Sequence, residues 1–235
     1  IDSIISQYSK SYLDDLISYN RIMAQRNSLL KYFAKERKYD ATSLEVWNGQ
    51  LVDFGNRIFD KRKQFLIEFV PAFQKYYNFI SGNEEKVELH YESQLNDGGF
   101  DDLLKNNVEK DRAVQYTTTG IHKDDLIFKL NDFPVKKFGS QGQQKSYLIA
   151  LKLAHFEFIK GVKEITPLLL LDDIFDKLDN SRVQKMMELI SQSHFGQIFI
   201  TDTSKDRVVK IFEDIEIGQK YFEIHKGAVV NEENK

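Results

Sequence analysis

Cysteine is absent from the 235 residues, which excludes disulfides, Cys-ligated zinc and thiol nucleophiles. Tryptophan occurs once and proline three times, one of them (Pro71) inside a helical pattern. No apolar run approaches the ~18–20 residues that cross a bilayer, and no signal peptide opens the chain, so a cytoplasmic setting without membrane contact is expected. The chain starts at Ile1 rather than Met, which is the expectation for a fragment or a processed chain. No internal repeat stands out. There is little excess charge, with a formal net of −3, but it is unevenly placed. Residues 1–80 carry twelve Lys and Arg against nine Asp and Glu, and the remainder twenty-one against twenty-seven. A mildly basic segment on an acidic body is compatible with phosphate contact, and equally with solvated helix faces.

Hydrophobic residues make up 41% of the chain, ordinary for a globular protein of one large or two smaller domains. Ile5, Tyr8, Tyr12, Leu16, Tyr19, Met23 and Leu30 recur at helical spacing and predict one long helix from about 3 to 37. After a turn at Tyr39-Asp40-Ala41-Thr42, with Thr42 or Ser43 as cap, Leu44, Trp47, Leu51, Phe54, Ile58 and Phe65 predict a second helix, ending at Ser81-Gly82-Asn83. The two form an antiparallel hairpin, read as a projecting arm over 1–82 with each helix roughly 50–55 Å long at about 1.5 Å per residue. From Lys86 the period changes: Val87, Leu89 and Tyr91 alternate as a strand does, 101–114 reads as a helix, and 126–128 as a short strand. From Ser140 onward strands and helices alternate, so 83–235 is expected to hold a parallel sheet with flanking helices, closed by a frayed tail at Asn231–Lys235.

The chemistry centres on Leu168-Leu169-Leu170-Leu171-Asp172-Asp173. Four apolar residues running into two carboxylates read as a buried strand with paired acids at its C-terminal end. That is the Walker B arrangement of a P-loop ATPase, in which Asp172 holds Mg²⁺ and Asp173 orients the attacking water. A buried strand ending in a polar turn is the plain alternative. No stretch fits the phosphate-gripping pattern Gly-x-x-x-x-Gly-Lys-[Ser/Thr]: Gly139, Lys145 and Ser146 come nearest, but Gln144 stands where the second glycine is needed.

The same stretch, Ser140-Gln141-Gly142-Gln143, opens a helix about 30 residues ahead of the acid pair and looks like the signature motif of ABC-type ATPases, where free N–H groups and the helix dipole face a γ-phosphate. Read plainly, Ser140 is an N-cap with Gln143 at the capping-box position, and both readings can hold together. Asp176-Lys177-Leu178-Asp179 follows the acids where such enzymes have their D-loop; read plainly, it is the next helix's N-terminus. Signature, acid pair and D-loop in this order are more specific than any one of them.

With these elements the chain resembles the C-terminal two-thirds of the RecF family, bacterial recombination-mediator ATPases. The likeness also rests on Tyr19-Asn20-Arg21, Gln25-Arg26-Asn27, Glu109-Lys110-Asp111-Arg112 and Thr119-Gly120-Ile121-His122-Lys123-Asp124-Asp125-Leu126. It implies a partial ABC-type P-loop ATPase head of the α/β class plus a helical hairpin arm, lacking the upstream lobe that carries the phosphate grip. It also implies an ATP-dependent homodimer that binds DNA at single-strand/double-strand junctions and helps load the recombinase with recombination-mediator proteins. Under that resemblance Asp172 is the Mg²⁺ ligand and Asp173 the catalytic acid, while Ser140, Gln141, Gly142, Gln143 and Asp179 meet the ATP of the partner subunit. At the position after the strand 198–200, where many ABC ATPases have His, this chain has Thr201-Asp202-Thr203, which receives no role.

Arg21, Arg26, Arg57, Lys61, Arg62 and Lys63 are candidate DNA-phosphate contacts, with a solvated helix face as the alternative. His122 either faces nucleotide or DNA, or fixes a tight turn through the neighbouring acids; with Asp124 or Asp125 it is a weak metal candidate. A reading from another class is a non-enzymatic adaptor, its ATPase-like body a scaffold for an interacting arm.

Overall fold

The structure is a computed structural model that describes residues 1–191, 195–213 and 218–234. The single helix expected over 3–37 is two. Helix α1 (Asp2–Ile5) stops and α2 (Lys10–Glu36) restarts at Ser9, whose backbone is extended and whose hydroxyl accepts from the Tyr12 N–H. Helix α3 (Ala41–Ser81) is capped by Asp40, whose carboxylate accepts from the N–H groups of Thr42 and Ser43. The expected cap at Thr42 or Ser43 is thus corrected: those residues are already helical, and their amides are the orphans being satisfied. Helix α3 continues through Pro71 and ends at Gly82 with φ 75°, a left-handed position that suits glycine.

Helices α2 and α3 pack along each other, but they share a core with the rest of the chain. Tyr19 of α2 and Ile58, Phe73 and Tyr77 of α3 are buried in one continuous cluster with Phe100, Tyr147, Leu153 and Met186. A small separate cluster, Leu30, Phe33 and Leu44, sits where the two helices meet their turn. Burial of the aromatic second half of α3 therefore anchors the hairpin to the body.

An antiparallel sheet comes next, β1 (Val87–Glu92) pairing with β2 (Asp125–Leu130) and β2 with β3 (Phe133–Pro134). Between β1 and β2, α4 (Phe100–Asn106) and α5 (Val108–Val114) replace the single helix expected over 101–114, with Asn107 between them. The chain then reaches β2 through Gly120, which has φ 124°. A Cβ there would lie 2.6 Å from a Phe100 ring carbon and 2.7 Å from the Tyr19 hydroxyl. Gly120→Ala is therefore expected to lower stability by about 1–3 kcal/mol, seen as a lower urea midpoint; an unchanged midpoint would mean the turn relaxes freely.

After the turn α6 (Val135–Phe138), α7 (Gln141–Lys163) packs on α3. Strands β4 (Leu169–Asp172) and β5 (Ile198–Thr201) are parallel, with Asp172 opposite Thr201, and α8 (Asn180–Ser191) lies between them in sequence. This is the expected parallel sheet, present among the described residues as two strands. The expected buried leucine strand is corrected: Leu169 and Leu171 are buried, whereas Leu168 and Leu170 (66% exposed) lie open, Leu170 opposite the exposed Phe199. With one face covered, strand alternation separates the four leucines in pairs. Helix α9 (Lys205–Phe212) precedes a hairpin of β6 (Lys220–His225) and β7 (Ala228–Asn234). The expected frayed tail is therefore a strand through Asn234, and Lys235 lies outside the described residues.

Candidate functional site

The site is assembled where the start of α7 meets the loop leaving β4. Ser140 caps α7 with a complete capping box: its hydroxyl accepts from the Gln143 N–H at 3.2 Å, and its own N–H donates to Gln143 Oε1 at 2.8 Å. This reciprocal pair holds the first turn of α7 in a fixed shape and leaves Ser140 and Gln141 exposed, with Gly142 half-buried. Gly142 is tightly placed, since a Cβ would come 3.0 Å from the Lys177 carbonyl oxygen.

The acid pair ends β4 in solvent, both carboxylates exposed. Asp172 Oδ1 accepts a hydrogen bond from the Thr201 hydroxyl across the parallel pair. Asp173 takes a left-handed backbone, φ 47°, uncommon for a non-glycine residue. Three bonds hold it there. Its N–H donates to the Thr201 carbonyl at 3.2 Å and to the Thr201 hydroxyl at 3.3 Å, and its carbonyl accepts from Lys145 Nζ at 2.8 Å. The lysine that fails as a phosphate grip therefore ties α7 to the acid pair. Thr201, given no role by the sequence, holds the Asp172 carboxylate and the Asp173 backbone.

The following loop is tied in from α8. Arg182 Nε donates to Asp179 Oδ2 at 3.2 Å, and its Nη1 to Ser146 Oγ at 3.1 Å. Nη2 of the same side chain donates to Glu85 Oε1 at 2.8 Å, an oxygen that also accepts from Gln143 Nε2 at 2.8 Å. Burial pushes the Glu85 carboxyl up, but hydrogen bonds from Gln143, Tyr77 and Arg182 outweigh it and hold the group below its ordinary range. Ser140, Gln141, Gly142, Gln143, Asp172, Asp173 and Asp179 thus fall on one connected set of elements. Lys145, Thr201, Glu85 and Arg182, which join them, are the residues sequence reasoning missed. Local pattern does not mark them, because the bonds by which they join separate elements span 28 to 97 residues, the short Arg182–Asp179 pair aside.

A cation at the acid pair fits the donor set. The ligands are exposed carboxylate oxygens, suited to a hard ion that takes one or two carboxylates and fills its remaining positions with phosphate oxygens and water. Among the described residues no group of three or more His, Cys, Asp or Glu side chains forms a metal cage.

Two DNA-contact candidates are corrected. Arg26 is wholly buried, its Nη1 2.7 Å from Asp111 Oδ2 and 2.8 Å from Thr117 Oγ1, and its Nε 2.8 Å from Asn48 Oδ1. Arg62 is buried between Asp2, at 2.9 and 3.0 Å, and Asp124, at 2.8 Å. A buried guanidinium already engaged by a carboxylate and neighbouring polar groups (Arg26), or held between two carboxylates (Arg62), is not presented to a phosphate. Arg21 and Lys63 are exposed and Lys61 is half-exposed. Arg57 is exposed and forks onto Asp15 at 3.0 and 3.2 Å.

The hydrogen bonds of His122 go to partners other than the neighbouring acids expected. Its Nε2 lies 3.2 Å from the Thr117 carbonyl, which can only accept, so Nε2 carries the proton and Nδ1, 3.0 Å from the Tyr19 hydroxyl, accepts. Burial lowers its pKa, which favours the neutral ring. Both ring nitrogens are engaged, Asp124 is held by Arg62 and Tyr91, and among the described residues this turn gathers no metal-binding group.

No protein-family model matches the chain. Among curated proteins it is 50% identical to the DNA replication and repair protein RecF of Flavobacterium johnsoniae over 224 residues, 95% of this chain and 62% of that protein. It is 50% identical to RecF of Phocaeicola vulgatus over 230 residues, 97% of this chain and 61% of that protein. Against RecF of Bacteroides fragilis it is 45% identical over 235 residues, all of this chain and 63% of that one. The chain thus spans about three-fifths of the length of the curated relatives it matches. Two solved structures share the fold, titled as the recombination mediator protein RecF with ATP and with ATPrS in the RecFOR pathway. The TM-scores are 0.77 and 0.76 at 27% and 29% identity, covering 100% and 97% of this chain and 61% and 60% of those chains. The α/β architecture is that of a partial ABC-type ATPase head. Identity sustained along the chain, together with the shared fold, places it: the chain belongs to the RecF family.

Proposed function

We propose that this chain is the part of a RecF-type ATPase that carries the acid pair and completes the nucleotide site of a partner subunit. It acts in cytoplasmic DNA replication and recombinational repair, where an ATP-dependent homodimer binds single-strand/double-strand DNA junctions and works with recombination-mediator proteins to load a recombinase. The supporting observation is the convergence, through Lys145 and Arg182, of the α7 N-terminus with the loop bearing Asp173 and Asp179.

In this reading Asp172 holds Mg²⁺, which would neutralise charge on the transferred phosphoryl group when bound. Thr201 keeps the Asp172 carboxylate aimed. Asp173, pinned by Thr201 and Lys145, accepts a hydrogen bond from the attacking water and orients it. The exposed N–H groups at the start of α7, with the Ser140 hydroxyl, meet the γ-phosphate of the nucleotide held by the other subunit, where Gln141, Gly142, Gln143 and Asp179 line the approach. Splitting the site between subunits makes hydrolysis depend on dimerisation, because catalysis here is positioning rather than covalent chemistry. Of the six candidate DNA-phosphate contacts, Arg21, Arg57, Lys61 and Lys63 remain.

Without the phosphate-gripping loop, the 235-residue chain is expected to bind ATP weakly and to hydrolyse it negligibly. Turnover by this chain with a measurable KM would overturn that expectation. Supplying the length of RecF that the chain does not span, as the corresponding segment of the Flavobacterium johnsoniae protein, is expected to restore DNA-stimulated hydrolysis. A folded complex with no activity would instead favour the adaptor.

A further inference from the structure

The carboxylate of Glu85 is the meeting point of side chains from three helices, α3, α7 and α8. It lies between the end of α3 and the start of β1, mostly shielded from solvent. One oxygen accepts from Gln143 in the first turn of α7 and from Arg182 in the first turn of α8; the other accepts from Tyr77 near the end of α3. Arg182 uses all three of its guanidinium nitrogens. Nη2 goes to Glu85, Nη1 to Ser146 (itself bonded to the Gly142 carbonyl at 2.9 Å), and Nε to Asp179. The planar fork can satisfy these three acceptors together only if the start of α7, the 176–180 loop and the end of α3 keep one relative placement.

We infer that Glu85 and Arg182 are positioning residues which lock the Ser140–Gln143 turn and the Asp179 loop to the root of the helical hairpin, so that the face offered to a partner subunit's nucleotide and the end of the arm hold one arrangement. This rests on the proposed trans-acting role of that face. Neither residue touches nucleotide. Each acts through Gln143 or Asp179, and their loss should affect assembly of the composite site and spare the binding of ATP by its own subunit.

The experiment is a double-mutant cycle in a full-length RecF carrying this stretch, using Glu85→Gln, Arg182→Gln and both together. Three quantities are measured: ATP-dependent dimerisation, hydrolysis per titrated nucleotide-binding site, and amide exchange. Each single variant is expected to lower dimerisation and kcat about tenfold with the KM for ATP kept within about twofold, and the double to be no worse than the worse single, since both break one unit. Amide protection should fall at both 142–144 and 177–180 in either single variant and stay unchanged in α2 around Arg26. Normal dimerisation and kcat in the variants, or losses that simply add, would overturn the inference, as would exchange that rises at one segment only. If Arg182→Gln does not fold, the milder Glu85→Gln with the exchange readout decides alone. An unsubstituted protein that fails to dimerise with ATP would count against the functional reading instead, and the exchange pattern would still test the lock.

Discussion

Replacing Arg26 by Ala is expected to be the most damaging single change to stability, costing about 3–5 kcal/mol, because it leaves a buried carboxylate without its cation. Arg26 and Asp111 have no exposed side-chain surface, and 2.7 Å separates Nη1 from Oδ2. The Asp111 carboxylate would keep only the N–H and hydroxyl of Thr118, at 2.8 and 2.6 Å. The change also strips partners from Thr117 and Asn48, so three elements, α2, α3 and the segment after α5, lose their common tie. Arg57→Ala, at a pair whose arginine is half exposed, is the control and should cost about 0–1 kcal/mol. Urea unfolding of both variants measures the contrast. A loss under about 1 kcal/mol for Arg26→Ala would mean that the buried pair is dispensable. Arg26→Met combined with Asp111→Leu should recover much of the loss, since removing both charges removes the desolvation problem as well.

Asp173→Asn in a full-length RecF carrying this stretch is expected to retain ATP-driven dimerisation while hydrolysis falls about 10²-fold or more, the range associated with losing a positioned general base. Asparagine tolerates the left-handed backbone that Asp173 adopts, so the bonds from its N–H to Thr201 and from Lys145 to its carbonyl can persist. The substitution therefore isolates the charge from the geometry. Asp172→Asn should behave differently, weakening the metal-dependent step before hydrolysis begins. Rapid-quench measurement of phosphate release, alongside sizing of the ATP-bound form, separates the two variants. Unchanged phosphate release in Asp173→Asn would remove that residue from the catalytic role.

Much of the site was legible because its parts are local. The capping geometry of Ser140 and Gln143, the strand running into Asp172 and Asp173, and the loop to Asp179 each lie within a few residues, where period and spacing carry the information. The burial of Arg26 is itself encoded in helical spacing. That residue stands three residues after Met23 and four before Leu30, on the very stripe read as buried, so helical spacing already placed it inside. The same holds for Arg62, four after Ile58 and three before Phe65. A charge on a buried stripe predicts a buried partner, and the motifs Gln25-Arg26-Asn27 and Glu109-Lys110-Asp111-Arg112 turn out to be two halves of one such network: Asn27 accepts from Thr117, and Arg26 reaches Asp111.

The sequence by itself determined the α/β class, the hairpin of two long helices, the order of signature, acid pair and following loop, and the absence of a phosphate grip. These follow from periodicity, capping chemistry and residue identity over short spans. Only the tertiary structure decided that the hairpin is rooted in the common core, that β4 buries one face alone, and that Lys145, Thr201, Glu85 and Arg182 bind the site together. Those outcomes depend on hydrogen bonds and packing between segments far apart in the chain, and no local pattern records which distant donor will meet which acceptor.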